Sequence, residues 1–173
     1  LICYAANREA CEPYVFRSPD RNELCCLMRD ENHNGRSMMI FSQNEGQSWT
    51  SPVDTPWGLT GDRHQGVTLP DGRLVIAFRD RALGSTTAGD FVAWVGTYEE
   101  LKTCAVGDSY RLRLLRSYDG VDCGYPGIEL VSAEEEMITA TTYIKYWNDS
   151  RKQSIVAKRF SIAEVEGGLD RMM

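Results

Sequence analysis

Apolar positions along the chain come in short runs rich in β-branched and aromatic residues, each closed by Gly, Pro, Asp or Asn. That punctuation predicts strands over 14–18, 24–29, 37–42, 66–69, 73–79, 91–97, 110–115, 127–131, 137–146 and 153–162. A helical period is weak everywhere, and only "TYEELKT" (97–103) suggests a short helix. The pattern is therefore that of an all-β chain.

Repetition narrows the kind of all-β fold. "EPYVFRSPDRNELCCLMRD" from Glu12 and "HQGVTLPDGRLVIAFRD" from His64 share a strand, a Pro-Asp turn, an apolar strand and a closing Arg-Asp, so Arg29-Asp30 corresponds to Arg79-Asp80. A weaker third copy, "YPGIELVSAEEEMITATTY", starts at Tyr125, with Ser132-Ala133-Glu134 in place of the Pro-Asp turn. A period of about 50 to 60 residues holding about four strands is the signature of a β-propeller blade. Blades are expected over about 10–57, 58–118 and 119–165. Three blades do not close a ring, because propellers need at least about four, so the remaining blades are expected from the parent chain or from another copy.

Composition excludes several classes. The 173 residues carry 42% hydrophobic and 25% charged side chains, which suits a globular chain. A formal net charge of -6 disfavours a nucleic-acid partner, which requires a basic surface. No apolar run approaches the roughly 20 residues that span a bilayer. The six cysteines, Cys3, Cys11, Cys25, Cys26, Cys104 and Cys123, form no paired C-x-x-C, so a structural metal is not expected. Reduced thiols are expected, although the even count leaves disulfides open; Cys25 and Cys26, being adjacent in a strand, point to opposite faces. The chain begins without Met, which suggests a processed or trimmed product.

"SQNEGQSW", from Ser42 to Trp49, resembles the Asp-box, the bacterial neuraminidase repeat with the pattern Ser-x-Asp-x-Gly-x-x-Trp. Ser42, Gly46 and Trp49 match, and Asn44 stands where the family has Asp. Gly46 supplies the positive φ that such a turn needs, and Trp49 folds back over it as an apolar plug. The wider chain resembles the sialidase superfamily. "GDRHQGVTLPDGRLVIAFRD", "FVAWVGTYEEL" and "DCGYPGIEL" are also similar to secreted sialidase-like proteins of bacteria. The resemblance implies half of a six-bladed propeller from a secreted or periplasmic parent.

It also implies a glycoside hydrolase acting on a terminal acidic sugar such as sialic acid, with no cofactor. No loop has the spacing of a calcium site. Sialidases use a Tyr nucleophile assisted by a Glu, an arginine triad for the substrate carboxylate, and an Asp acid/base. A neutral phenol avoids the repulsion that an anionic nucleophile would meet at a carboxylated anomeric centre, and guanidinium forks match carboxylates. "GYPG" resembles the nucleophile segment, at Tyr125; "CEPYVF" resembles the segment with the assisting Glu, at Glu12; and Arg29 resembles a triad arginine. The third arginine is open among Arg63, Arg79 and Arg81. The first arginine and the acid/base would lie upstream of Leu1.

Repeat alignment brings Glu12, Arg63, His64 and Tyr125 to strand starts, and Arg29 and Arg79 to strand ends, at one mouth. Arg29, Arg63, His64 and Arg79 are the expected substrate-binding set. Bland alternatives exist: the arginines could be struts to Asp30 or Asp80, Asp122 a turn carboxylate, and Trp94 core. Trp57 and Trp147 could stack on sugars, and Asn148 opens a sequon. Two rival activities use the same mouth, namely glycan binding without cleavage, and a lyase with Tyr125 as base and His64 as acid.

Overall fold

The computed structural model describes residues 8–148 and 152–170; Cys3 and the last two residues of the Asn148 sequon lie outside them. Three antiparallel sheets form, and in each of them every strand pairs with the next one in the chain. The first sheet holds β1 (Ala10–Arg17), β2 (Leu24–Asp30), β3 (Met38–Ser42) and β4 (Val53–Asp54). β5 (Gly61–Thr68), β6 (Leu74–Asp80), β7 (Phe91–Gly96) and β8 (Tyr110–Leu115) make the second. The third holds β9 (Cys123–Ser132), β10 (Met137–Ile144) and β11 (Ser154–Ser161). Among the described residues no helix is long and apolar enough to cross a membrane.

Burial explains the sequence pattern. β6 and β7 are buried along their whole length because the second sheet is covered on both faces. On one face Ile76, Phe78, Val92 and Trp94 meet Cys25, Leu27, Met39 and Phe41 of the first sheet. On the other, Val75, Ala77, Phe91, Ala93 and Val95 meet Ile138, Ala140, Ile144 and Phe160 of the third. Cys26 lies on the far face of β2 beside Met28, Met38 and Ile40, as the alternation of strand side chains requires. β10 alternates strictly between buried and half-buried positions, so the third sheet commits one face to the core. Its other face carries Thr139, Thr141 and Ile155, and Ile155 is 81% exposed.

Two of the departures from the expected strands have local causes. β4 is a two-residue exposed edge strand between Pro52 and Pro56, too short and too polar to stand out in the sequence. Among the described residues the third sheet has three strands instead of four, and the chain leaves it as α2 (Ile162–Asp170). Ile162, Val165 and Leu169 have helical spacing, but Gly167 and Gly168 mask it, since each glycine disfavours a helix by about 1 kcal/mol. The weak helical signal at 97–103 is α1 (Tyr98–Thr103), fixed by a capping box in which Thr97 and Glu100 bond each other's backbone N–H. α1 also ties two sheets together, because Tyr98 Oη and Lys102 Nζ both donate to the buried Glu23 carboxylate ahead of β2 (2.8 Å each).

The turn after β3 has the geometry its sequence suggests. Gly46 has φ +80°, and Ser42 Oγ accepts from its N–H at 2.9 Å. Asn44 Oδ1 accepts from Ser48 N–H at 2.9 Å and from Ser42 Oγ at 3.0 Å, the acceptor work an Asp would do. Trp49 Nε1 donates to Gly46 O at 3.1 Å, which pins the indole over the turn. Asn44→Ala is expected to lower the unfolding free energy by about 1 kcal/mol, whereas Asn44→Asp keeps both acceptors and should stay within roughly 0.5 kcal/mol of the parent. Urea unfolding of the two variants checks this; equal losses would refute the acceptor role.

Candidate functional site

The first strand of every sheet carries the same irregularity. Cys11 pairs with Arg29 and Tyr14 with Leu27; Asp62 pairs with Arg79 and Gln65 with Ala77; Gly124 pairs with Tyr143 and Gly127 with Thr141. In each case the first strand spends one residue more than its partner, which defines a β-bulge. The residue at the bulge is left-handed each time, with φ 50° at Glu12, 62° at Arg63 and 50° at Tyr125. Glycine is the usual occupant of that conformation, and an L side chain there costs about 1–2 kcal/mol. Three such residues at equivalent positions mark strain retained where side chains must be re-aimed.

The bulges converge, because β5 packs against both β1 and β9. Arg63 Nε donates to Glu12 Oε1 at 3.2 Å, and the Arg63 guanidinium lies over the Tyr125 ring, 4.1 Å from its centroid. Arg63 NH1 donates to Tyr143 Oη at 2.6 Å and to Cys123 O at 3.3 Å. Tyr143 Oη in turn donates to Asp122 Oδ1 at 2.8 Å. A cleft of about 250 Å³ lies among the bulges, lined by Glu12, Pro13, Arg63, His64, Gln65, Tyr125 and Pro126. Tyr125 is 68% exposed there.

Beside this cleft lies a buried ionic cluster. Asp62 is fully buried and accepts from Arg79 Nε and NH2 through one oxygen (3.0 and 2.6 Å), while His33 Nε2 reaches the other at 2.9 Å. Arg29 NH1 and Arg81 Nε approach the carboxylate at 3.7 and 3.8 Å. Burial pushes the Asp62 pKa up, but the Arg79 hydrogen bonds and charge, with His33, outweigh it and hold the carboxyl below its usual range. Arg29 also pairs with Glu31, lies 3.4 Å from Glu12 Oε2 and donates to Cys11 Sγ at 2.9 Å. Burial and the Glu31 hydrogen bond push the Cys11 thiol up to about 11, so it stays protonated near neutral pH.

The sequence-predicted residues divide. Glu12, Arg63 and Tyr125 meet at the cleft, and Arg29 joins them through Glu12. Arg79 is committed to Asp62 and to Val121 O (2.7 Å). His64 lines the cleft, yet its ring is buried against Phe78, 5.1 Å between centroids, and Nε2 pairs with Leu59 O at 2.9 Å. The arginines do not pair with the aspartates that follow them: Asp30 accepts from Asn34 N–H (3.1 Å), and Asp80 from Ala82 N–H (2.9 Å), so each holds its own loop. Trp94 is core, whereas Trp57 and Trp147 are exposed.

Asp62, Tyr143, His33, Glu31 and Cys11 were not singled out from the sequence. A signal for two of them exists: Asp62 precedes Arg63 as Cys11 precedes Glu12, and Tyr143 holds the strand-end position of Arg29 and Arg79. Among the described residues no group of three or more His, Cys, Asp or Glu side chains is placed to hold a metal ion. Cys11, Cys25, Cys104 and Cys123 carry free thiols. Against known proteins, no family model matches the chain and no curated protein matches it.

Two outcomes follow from this geometry. Tyr125→Gly places the preferred residue at a left-handed position and should leave the unfolding free energy unchanged or raise it by up to about 1 kcal/mol; a loss would refute strain at the bulge. Burial lowers the His64 pKa, so the unfolded chain takes up that proton first and stability falls as pH drops below about 6.5. Urea unfolding at roughly pH 8 and pH 5.5 measures the slope, which His64→Gln should reduce.

Proposed function

We propose that the three sheets are blades of a sialidase-type β-propeller, and that the cleft at their first strands binds a terminal acidic sugar and hydrolyses its glycosidic bond. The observation that carries this reading is the convergence of Glu12, Arg63 and Tyr125 from three equivalent bulges on one cleft. Three sheets are half of a six-bladed ring, and the partly open face of the third sheet suits contact with a further blade. The other blades come from the rest of the polypeptide or from another copy.

In this reading Arg63 attracts the sugar carboxylate, while Arg29 stands behind it beside Glu12, and Arg29 and Arg79 flank the buried Asp62. Tyr125 Oη attacks the anomeric carbon and gives its proton to Glu12. The glycosidic C–O bond breaks as an acid from another blade protonates the leaving oxygen. Water then cleaves the tyrosyl–sugar bond, with the proton returned from Glu12 to Tyr125 and the acid restored by the water proton.

One observation favours glycan binding without cleavage. Among the described residues Tyr125 Oη has no hydrogen-bond partner, and Glu12 is bound to Arg63 instead. The lyase reading is weaker, because His64 Nε2 is held by Leu59 O and its ring is buried against Phe78.

The test uses the full-length protein with fluorogenic sialic acid and uronic acid glycosides, beside Tyr125→Phe. Release that Tyr125→Phe lowers by several orders of magnitude, with an unchanged unfolding transition, is the expected result. No release from either glycoside by a protein that still binds an acidic glycan would favour the binding reading.

A further inference from the structure

The hydrogen bonds around the cleft are unevenly distributed among the arginines. Arg79 gives Nε and NH2 to Asp62 and NH1 to Val121 O. Arg29 is taken up by Cys11, Glu31 and Glu12. Arg63 gives Nε to Glu12 and NH1 to Tyr143 and Cys123 O, and among the described residues its NH2 has no hydrogen-bond partner. Of these three, only Arg63 lines the cleft.

Tyr143 decides where that unused edge points. Its single phenolic proton goes to Asp122 Oδ1, so its lone pairs are left to accept from Arg63 NH1. Gln153 Nε2 holds the other Asp122 oxygen at 2.8 Å, and also reaches Asp119 Oδ2 at 2.6 Å. Gly124 makes the path, because a Cβ there would stand 2.6 Å from Arg63 NH1 and 2.7 Å from Cδ. The strand-end position that carries an arginine in the other two sheets thus carries a neutral residue here, whose hydroxyl turns Arg63.

Resting on the acidic-sugar reading above, we propose that, of Arg29, Arg63 and Arg79, it is Arg63 that holds the carboxylate, through its open edge, and that Tyr143 is the positioning residue that aims this edge into the cleft. The Arg63 guanidinium is fixed on two sides, by Glu12 on one and by Tyr143 and Cys123 O on the other. A planar fork held in this way loses little freedom on binding a carboxylate.

The experiment is a calorimetric titration of the full-length protein with N-acetylneuraminic acid and with glucuronic acid, each beside its methyl ester. Wild type is expected to bind one of the acids at least about tenfold tighter than its ester, the scale of a charge-assisted hydrogen bond. Tyr143→Phe should reduce that ratio by about tenfold while leaving ester affinity and the unfolding midpoint in place. Asp122→Asn should move the ratio in the same direction, and serves if Tyr143→Phe does not fold. An unchanged acid-to-ester ratio in both variants overturns the positioning role of Tyr143. Equal binding of acid and ester by wild type overturns the carboxylate anchor but leaves a glycan site standing. Binding of neither sugar overturns the acidic-sugar reading and this inference with it.

Discussion

Arg63 leaves the second sheet at a left-handed bulge, crosses Gly124 and ends between Glu12 of the first sheet and Tyr143 of the third. A single guanidinium therefore ties three sheets at one end, where their first strands lie side by side. Its charge is tolerable because Glu12 and Asp122 flank the network and two tyrosine rings cover its faces, at 4.1 and 5.8 Å. Behind it, the buried Asp62–Arg79 pair is a second tie of a different kind. Such a pair adds little net stability, but removing one member strands a buried charge at a cost of roughly 3–5 kcal/mol. Both ties lie beside the cleft, whereas the apolar layers between the sheets supply the bulk of the folding free energy.

The all-β class and most of the strands were legible in the sequence because burial writes itself into apolar runs. The uninterrupted "LVIAF" and "FVAW" segments belong to a sheet covered on both faces, and the alternation in "MITATTYI" belongs to one covered on a single face. The repeated Arg-Asp endings correctly paired Arg29 with Arg79 as equivalents. What stayed hidden were features without a hydrophobic signature: the two-residue edge strand β4, and α2 with its paired glycines.

The candidate site was legible in part and for a different reason. Glu12, Arg63 and Tyr125 were found by counting along the repeat, and the three bulges follow the same count. Side-chain direction could not be counted. His64 shares the bulge with Arg63 but turns its ring into the core, and Arg79 shares its strand position with Arg29 yet is taken up by Asp62. Asp62 was passed over because a carboxylate in a loop-like "TGDRH" stretch reads as solvated, while burial among cations is a tertiary fact. Tyr143 was passed over because the third copy of the repeat replaces Arg by Tyr at the position that matters most.

The arrangement at issue is one candidate site built around Arg63 by three strained bulges in three sheets. It is tested most directly by a crystal structure of the full-length protein with a bound acidic monosaccharide. The expected result is a sugar in the cleft between Tyr125 and Pro13, its carboxylate within hydrogen-bond distance of Arg63 NH2, and φ still positive at Glu12, Arg63 and Tyr125. A sugar seated elsewhere on the protein, or one in the cleft with its carboxylate turned away from Arg63, would contradict it.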